Sequence, residues 1–424
     1  MQIDVPFRGN CKSKNMKILI YGINYAPELT GIGKYTAEMS EALSSVGHEV
    51  RVICAPPYYP HWRIAQGFSA CFYEHTNSNG VEICRAPLWV PSRPKGVRRI
   101  LHLASFAVSS FPIMLRQAFW RPNVVICVAP SLMNAPAAWL VAALSRAHAW
   151  LHVQDFEVDA AFNLGMLNGS FLKRSALAVE RILFRRFDTI STISSKMAER
   201  ALRKGVVRSK IVHFPNWADV DAIQPLATKS PMRAELNIPD GAIVVLYSGN
   251  MGAKQGLEVL ANVAVRFSAR DDIFFVFCGN GPARSSIATV CGGERNCRFL
   301  DLQPVERLND LLNLADIHVL PQRADAADLV LPSKLTGMFS SGRAVIAMAN
   351  PGTEIHDIVL HRGLVVAPED PVGLAAAIER LSEDAVEREK LGKAGREFAK
   401  SMLSRDAVLA AFEKTLRARS ANTI

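Results

Sequence analysis

Two stretches of this chain combine glycine with lysine directly after an apolar run, an arrangement that brings backbone N–H groups up to a phosphate. The first, Asn24 to Tyr35 (NYAPELTGIGKY), sets Gly31 and Gly33 ahead of a helical pattern, with Lys34 beside them. Glycine lets the backbone approach a ligand closely, and a helix N-terminus offers unpaired N–H groups and a partial positive charge. A Gly-x-Gly is also a common turn, so its place between the first strand and the first helix is what favours an anion loop. The second stretch, Ser248 to Gly256 (SGNMGAKQG), repeats the design with Gly249, Asn250, Lys254 and Gln255. Two further loops carry groups suited to a sugar. Pro56 to Trp62 (PPYYPHW) offers Tyr58, Tyr59 and Trp62 as ring platforms for a saccharide or lipid-linked acceptor, or else as proline-rich packing. His152 to Asp159 (HVQDFEVD) brings Asp155, Glu157 and Asp159 to the end of an apolar run. A carboxylate there accepts a hydrogen bond from an attacking hydroxyl, or caps a helix.

The elements that must hold these loops follow from periodicity. Lys17 to Tyr21 (KILIY) is a short buried strand, and Glu38 to Gly47 has helical spacing. Val50 to Ala55, Val124 to Val128 and Trp150 to Val153 read as later strands of the same sheet. Ala222 to Pro231 has two prolines and no period and reads as a linker, after which Ile243 to Tyr247 (IVVLY) restarts the pattern. Ile273 to Cys278, Arg298 to Leu300, Ile317 to Leu320 and Ala344 to Ala347 complete a second set of strands. Strands alternating with helices predict an α/β fold of two doubly wound parallel sheets in tandem, whose ligands bind beyond the carboxyl ends of the strands, in a cleft between the domains. The expected division is a disordered extension over 1–15, one Rossmann-like domain over 16–222, a second over 232–383, and terminal helices over 384–424 that pack back across both.

Composition bounds the function. At 424 residues the chain is long enough for two cores, and 49% hydrophobic with 21% charged residues is the balance of a folded protein. The net charge of +10 calls for an anionic partner. No zinc finger, RNA-binding aromatic signature or dense basic tract is present, so nucleic acid is not expected. The eight cysteines are scattered through apolar runs without a His cluster, which predicts reduced thiols and no metal site. The first 15 residues lack the apolar core of a secretory signal, which predicts a cytoplasmic protein. Ile100 to Leu115 (ILHLASFAVSSFPIML) is the most apolar stretch but is too short to span a bilayer, and it reads as a core helix or one lying at a membrane surface.

Five segments in order, MKILIYGINYAPELTGIGKYTAEM, CAPPYYPHW, LHVQDFEVDA, LYSGNMGAKQGLE and DLVLPSKLTGM, resemble the GT-B glycosyltransferases of family 4, most closely the WcaI-like group of colanic acid biosynthesis. The similarity runs from about Met16 to the last helices. It implies a GT-B fold and sugar transfer with retention at the anomeric carbon. The donor is a nucleotide diphosphosugar held mainly by the second domain, and the acceptor is held mainly by the first. No metal or other cofactor is required. Basic side chains and helix N-termini would neutralise the leaving diphosphate.

Residue by residue, the resemblance puts Gly31 and Gly33 in the loop that meets donor phosphate and acceptor, and Asp155 near the transferred sugar. Gly249, Asn250, Lys254 and Gln255 fall in the second-domain phosphate loop, and Ser333 and Lys334 at a helix start suited to the diphosphate. The pattern is not intact. Asn250 and Gln255 stand where many relatives carry arginine and lysine, and Gly337 and Leu329 stand where many carry an acidic pair. Lys254 and Lys334 are the candidates to compensate. Arg323, Asp325 and Asp328 precede that helix as sugar contacts or turn residues. The resemblance implies GDP-fucose as donor, a saccharide on a polyprenyl diphosphate as acceptor, and a location on the inner face of the cytoplasmic membrane. A non-catalytic partner subunit and a GT-B sugar-nucleotide epimerase are the alternatives.

Overall fold

The computed structural model describes residues 15–28, 31–59, 61–92, 96–156, 170–252, 255–324 and 333–421. The extension expected over 1–15 lies almost wholly outside them. Contacts divide the chain into two units, one of Met1–Thr192, Ala201–Val212 and Phe412–Ile424, the other of Ile193–Arg200 and His213–Ala411.

In the first unit the sheet is built from β1 (Lys17–Tyr21), β2 (Glu49–Cys54), β3 (Glu74–Ser78), β4 (Val81–Arg85), β5 (Val124–Ala129), β6 (His148–Val153), β7 (Thr189–Thr192) and β8 (Ile211–His213). Their order is β3-β4-β2-β1-β5-β6-β7-β8. The pairs from β4 through β7 are parallel, and β3 turns back antiparallel on β4 at the edge. Strands covered on both faces are near-continuous apolar runs, and β5 (VVICVA) is buried at every position. The connecting helices described are α1 (Ile32–Ser45), α2 (Val97–Trp120), α3 (Ala135–Ser145) and α4 (Ser170–Arg186), with α5 (Ser195–Arg203) between β7 and β8 grouped by its contacts mostly with the second unit. α1 starts six residues before the predicted start at Glu38, because Gly31 at φ +65° and ψ −145° turns the chain directly into it.

The second unit has β9 (Ile243–Ser248), β10 (Ile273–Cys278), β11 (Cys297–Leu300), β12 (Ile317–Leu320), β13 (Ala344–Met348) and β14 (Leu364–Val366), ordered β11-β10-β9-β12-β13-β14. Counted within the unit this is 3-2-1-4-5-6, the dinucleotide-fold order, and it reverses between β9 and β12. The helices include α6 (Leu257–Arg266), α7 (Arg284–Cys291), α8 (Leu308–Leu314), α9 (Ser333–Ser340), α10 (Glu354–Val359), α11 (Pro371–Glu383), α12 (Ala385–Phe398) and α13 (Arg405–Ala421). The stretch 222–231, expected to join the domains, lies inside this unit. Arg396 on α12 donates to the carbonyls of Val220 and Ile223, and Leu403 accepts from the Ala218 N–H. The terminal helices are shared by contact: α12 and the start of α13 belong to the second unit, and Phe412 onward to the first.

Candidate functional site

In the second unit the topological reversal places the ends of β9 and β12 side by side, and a doubly wound sheet receives ligands there. β9 ends in Tyr247 and Ser248, and Gly249 follows directly. Lys334, in the first turn of α9 after β12, reaches back so that Nζ donates to Tyr247 Oη at 3.1 Å and stands 4.8 Å from the ring centroid. Tyr247 Oη in turn donates to the Asn250 carbonyl at 2.6 Å, and burial holds the phenol well above its ordinary pKa, so it stays a neutral donor. Gly249 sits at φ +133°, and a Cβ there would lie 3.3 Å from the Lys334 ammonium. The backbone is packed on itself behind this point. A Cβ on Gly279 would meet the Gly249 carbonyl oxygen at 2.0 Å, and one on Gly281 the Met251 carbonyl oxygen at 2.5 Å. Glycine is therefore obligatory at both. The arrangement is a cation fixed over a side-chain-free backbone turn beside a helix N-terminus, which is suited to an anion.

In the first unit the reversal lies between β1 and β5. The two glycines of its loop have different reasons to be glycine. Gly31 has positive φ and open space where a Cβ would be, as a ligand-facing turn needs. Gly33 is pressed against the protein itself: a Cβ would lie 2.7 Å from Glu28 Oε2. Glu28 is buried, accepts the N–H groups of Tyr58 and Tyr59 at 3.1 Å each, and accepts from Asn24 Nδ2 at 2.9 Å. Burial raises its pKa despite these donors and the nearby Arg85, which itself donates to the carbonyls of Ala26 and Ala55. Glu28 thus welds the glycine loop to the aromatic loop. At the end of β5, Ser131 Oγ and both side-chain polar atoms of Asn134 are buried without a protein hydrogen-bond partner.

Other residues singled out in the sequence fall as follows. Lys34 is not aimed at the glycine loop but runs along α1 to Glu38 at 3.7 Å. Tyr58, which the sequence leaves open between a ring platform and packing, is 6% exposed and packs edge-on against His102 and Trp62. Tyr59 is exposed, and Trp62 lines a groove of about 930 Å³ with His61, Arg63 and Trp89. Asp155 is exposed two residues beyond β6. Just before it, His152 is buried and bonded to Ser191, and burial pushes its pKa down to about 3, so its ring is uncharged near neutral pH. Gln255 folds inward, its Oε1 accepting the Gly252 N–H at 3.1 Å. Asn250 is exposed beside it. Arg323 is half exposed and pairs at 3.7 Å with Glu369. Glu157, Lys254 and Asp328, with the side chain of Ser333, lie outside the described residues. Among the described residues no cluster of three metal-ligating side chains occurs.

Two family models match the chain, the Glycosyl transferase 4-like domain over residues 30–217 and Glycosyl transferases group 1 over residues 228–398. The putative colanic acid biosynthesis glycosyl transferase WcaI of Escherichia coli K12 is 41% identical over 411 residues, covering 95% of this chain and 100% of that one. The chain belongs to the family 4 glycosyltransferases. Solved structures give this glycosyltransferase the GT-B fold. Sucrose-phosphate synthase from Thermosynechococcus elongatus superposes with a TM-score of 0.72 at 18% identity, covering 96% of this chain and all of that one. Anabaena HepE, solved with UDP and glucose, gives 0.63 at 12% identity over 95% of this chain and all of that one.

Within this glycosyltransferase a Cβ on Gly337 would lie 3.2 Å from Leu312 Cδ1, so a larger side chain at this point of α9 needs the Leu312 side chain to give by a small shift. Sequence reasoning missed Tyr247 and Glu28. Tyr247 is the last aromatic of β9 before the glycine loop, and Glu28 is the one acid in an otherwise uncharged loop, and those positions were the available signals.

Proposed function

We propose that this glycosyltransferase moves a hexose, with retention at the anomeric carbon and without a metal, from a nucleotide diphosphosugar to a saccharide acceptor carried on a polyprenyl diphosphate, in assembly of an exopolysaccharide of the colanic acid type. The observation that carries the reading is the Lys334 ammonium held by Tyr247 over Gly249 at the reversal point of the second sheet. Lys334 and the first N–H groups of α9 would take up charge as the diphosphate leaves, the moment at which fixed positive groups lower a transfer barrier most. Asp155, exposed beyond β6 in the first unit, would accept the hydrogen bond of the attacking hydroxyl. Arg323 would bind the donor sugar, and Tyr59 and Trp62 the acceptor. The WcaI relative and the nucleotide-bound HepE support a sugar nucleotide as donor. GDP-fucose is the first donor to test, and the inner face of the cytoplasmic membrane is the proposed site of action.

The test is donor consumption by the purified chain, offered a panel of GDP- and UDP-sugars with a membrane extract, with and without a chelator. One donor is expected to be consumed only when acceptor is present, equally with the chelator, and with its anomeric configuration kept in the product. Failure of both GDP and UDP at millimolar concentration to raise Tm would sink the reading in favour of a non-catalytic subunit. Conversion without acceptor would favour an epimerase.

A further inference from the structure

α2 is apolar on two sides. One side carries Leu103, Phe106, Ile113 and Met114 into the core of the first unit. The other presents Val97, Leu101, Ala104, Val108, Phe111, Leu115 and Phe119, spaced by four and three residues like a packed seam. Yet Val108 is 74% and Phe119 90% exposed, and among the described residues no element lies over them. The helix is about 36 Å long at 1.5 Å per residue. The seam is widened by the neighbouring loops. Tyr73 Oη donates to the Ser109 carbonyl at 2.7 Å, which sets Tyr73 against α2, and the preceding residue, Phe72, is 73% exposed. The Trp89 N–H donates to Ser105 Oγ and its carbonyl receives His102 Nδ1, which fixes half-exposed Trp89 on the same helix.

The exposed charges on the helices beside this seam are of one sign, although Glu49 at the start of β2 accepts from Trp120 Nε1 at the C-terminal end of α2. α2 holds three arginines and no acid, α3 has no charged residue at all, and the one acid of α4, Glu180, is buried against Lys204. Rightward crossovers put α2, α3 and α4 on the same face of the sheet, where Arg98, Arg116, Arg174, Arg181 and Arg185 are exposed together with Val179 and Ile182. A protein partner would ordinarily be met by charges of both signs. A stripe of large apolar side chains flanked by arginine, edged by a tyrosine and a tryptophan, matches a phospholipid surface. No described helix is long and apolar enough to cross a membrane, so the helix would lie in the interface.

We propose that the exposed face of α2, with Phe72, Tyr73 and Trp89, is a docking surface for anionic phospholipid bilayers, seated by apolar insertion and held by the arginines of α2 and α4. This deepens the membrane-associated part of the proposed function but its test needs no sugar donor. The full chain is sedimented with vesicles of phosphatidylcholine alone and of equal parts phosphatidylcholine and phosphatidylglycerol. Each arginine near an anionic surface contributes roughly fivefold in partitioning. The wild type is therefore expected to bind the mixed vesicles at least tenfold better than the neutral ones, less so as salt is raised. Val108→Asp with Phe119→Asp, and separately Arg98→Glu with Arg116→Glu, should each lose at least tenfold. Val46→Asp, at the end of α1, should bind as wild type. Circular dichroism and Tm check that each variant is folded. Equal binding by wild type and variants, or no binding to mixed vesicles, overturns the proposal. So does a self-associated species in gel filtration that Val108→Asp abolishes, which would make the face a protein interface. Vesicle binding without any donor consumption would leave the surface standing and remove only the transferase reading.

Discussion

Replacing Lys334 by methionine keeps the aliphatic stem and removes the one charge that the structure fixes over Gly249. The ammonium lies 3.1 Å from Tyr247 Oη, and a Cβ on Gly249 would come within 3.3 Å of it, so an anion on that turn would sit about 4 Å from the charge. Two unit charges at that distance attract by about 4 kcal/mol at the effective dielectric of a protein surface, before desolvation is subtracted. Net values for hydrogen bonds to charged groups are about 1.5 to 3 kcal/mol, and that smaller range is the one to use. It predicts donor kcat/KM lowered about tenfold to a hundredfold. Stability should barely move, because Tyr247 keeps its bond to the Asn250 carbonyl and a cation–π contact of this kind is worth about 1 kcal/mol or less. Tyr247→Phe should act in the same direction but more weakly, by loosening Lys334 without removing its charge. The assay is initial donor consumption against donor concentration, with Tm recorded for each variant. An unchanged kcat/KM in a folded Lys334→Met protein would refute the placement of the donor diphosphate at this turn.

Other expectations follow from packing and burial. Gly279→Ala puts a Cβ 2.0 Å from the Gly249 carbonyl oxygen at a backbone φ of +139°, and should cost about 3 kcal/mol or more, read as a fall in Tm with loss of nucleotide binding. Gly33→Ala collides with Glu28 at 2.7 Å and should cost about 1 to 3 kcal/mol, with Glu28→Ala in the same chain recovering part of it. Burial holds His152 and His318 down to about 3 each, below the ordinary 6.5. The unfolded chain therefore binds more protons between those values, and stability is full above about 6.5 and falls as pH drops. The slope is about 1.4 kcal/mol per pH unit for each histidine, and urea titrations at a series of pH values measure it. Glu28 runs the opposite way, since its raised pKa makes the ionised form the costly one: stability is full below the ordinary carboxylate range and is lost as pH rises through the raised value. Glu28→Gln should flatten that loss.

The parts of the fold that periodicity could find were those buried on both faces. β1, β10 and β12 lie where their apolar runs predicted them, and β5 and β9 each extend one residue further. β7 was hidden because TIST reads as a polar loop. It is a core strand only because Ser191 Oγ is claimed by Trp150 Nε1 and His152 Nδ1, and Thr189 Oγ1 by His148, partners some forty residues away. β3 (EHTNS) is mostly exposed at the sheet edge and has no apolar signal to detect. At the candidate site, the glycines and Lys334 were legible because backbone shape and charge are written in residue type. Tyr58 was not, since its burial depends on His102 from a helix far along the chain. Nor was the outward face of α2, because an apolar run does not reveal which of its sides the core leaves uncovered.

The last helix has a consequence for how the chain is made. Phe412 lies edge-on against the fully buried Trp150 at 5.3 Å. The His48 ring receives the Met16 N–H at the start of β1 and bridges to Glu413 at 3.1 Å. The opening strand and the closing helix therefore share one histidine. A ribosome delivers the partners of that histidine far apart, with His213–Ala411 of the second unit between them, so the first sheet must wait, with Trp150 uncovered, while that stretch is synthesised. Nascent chains arrested before residue 412 should consequently be the species most dependent on chaperones.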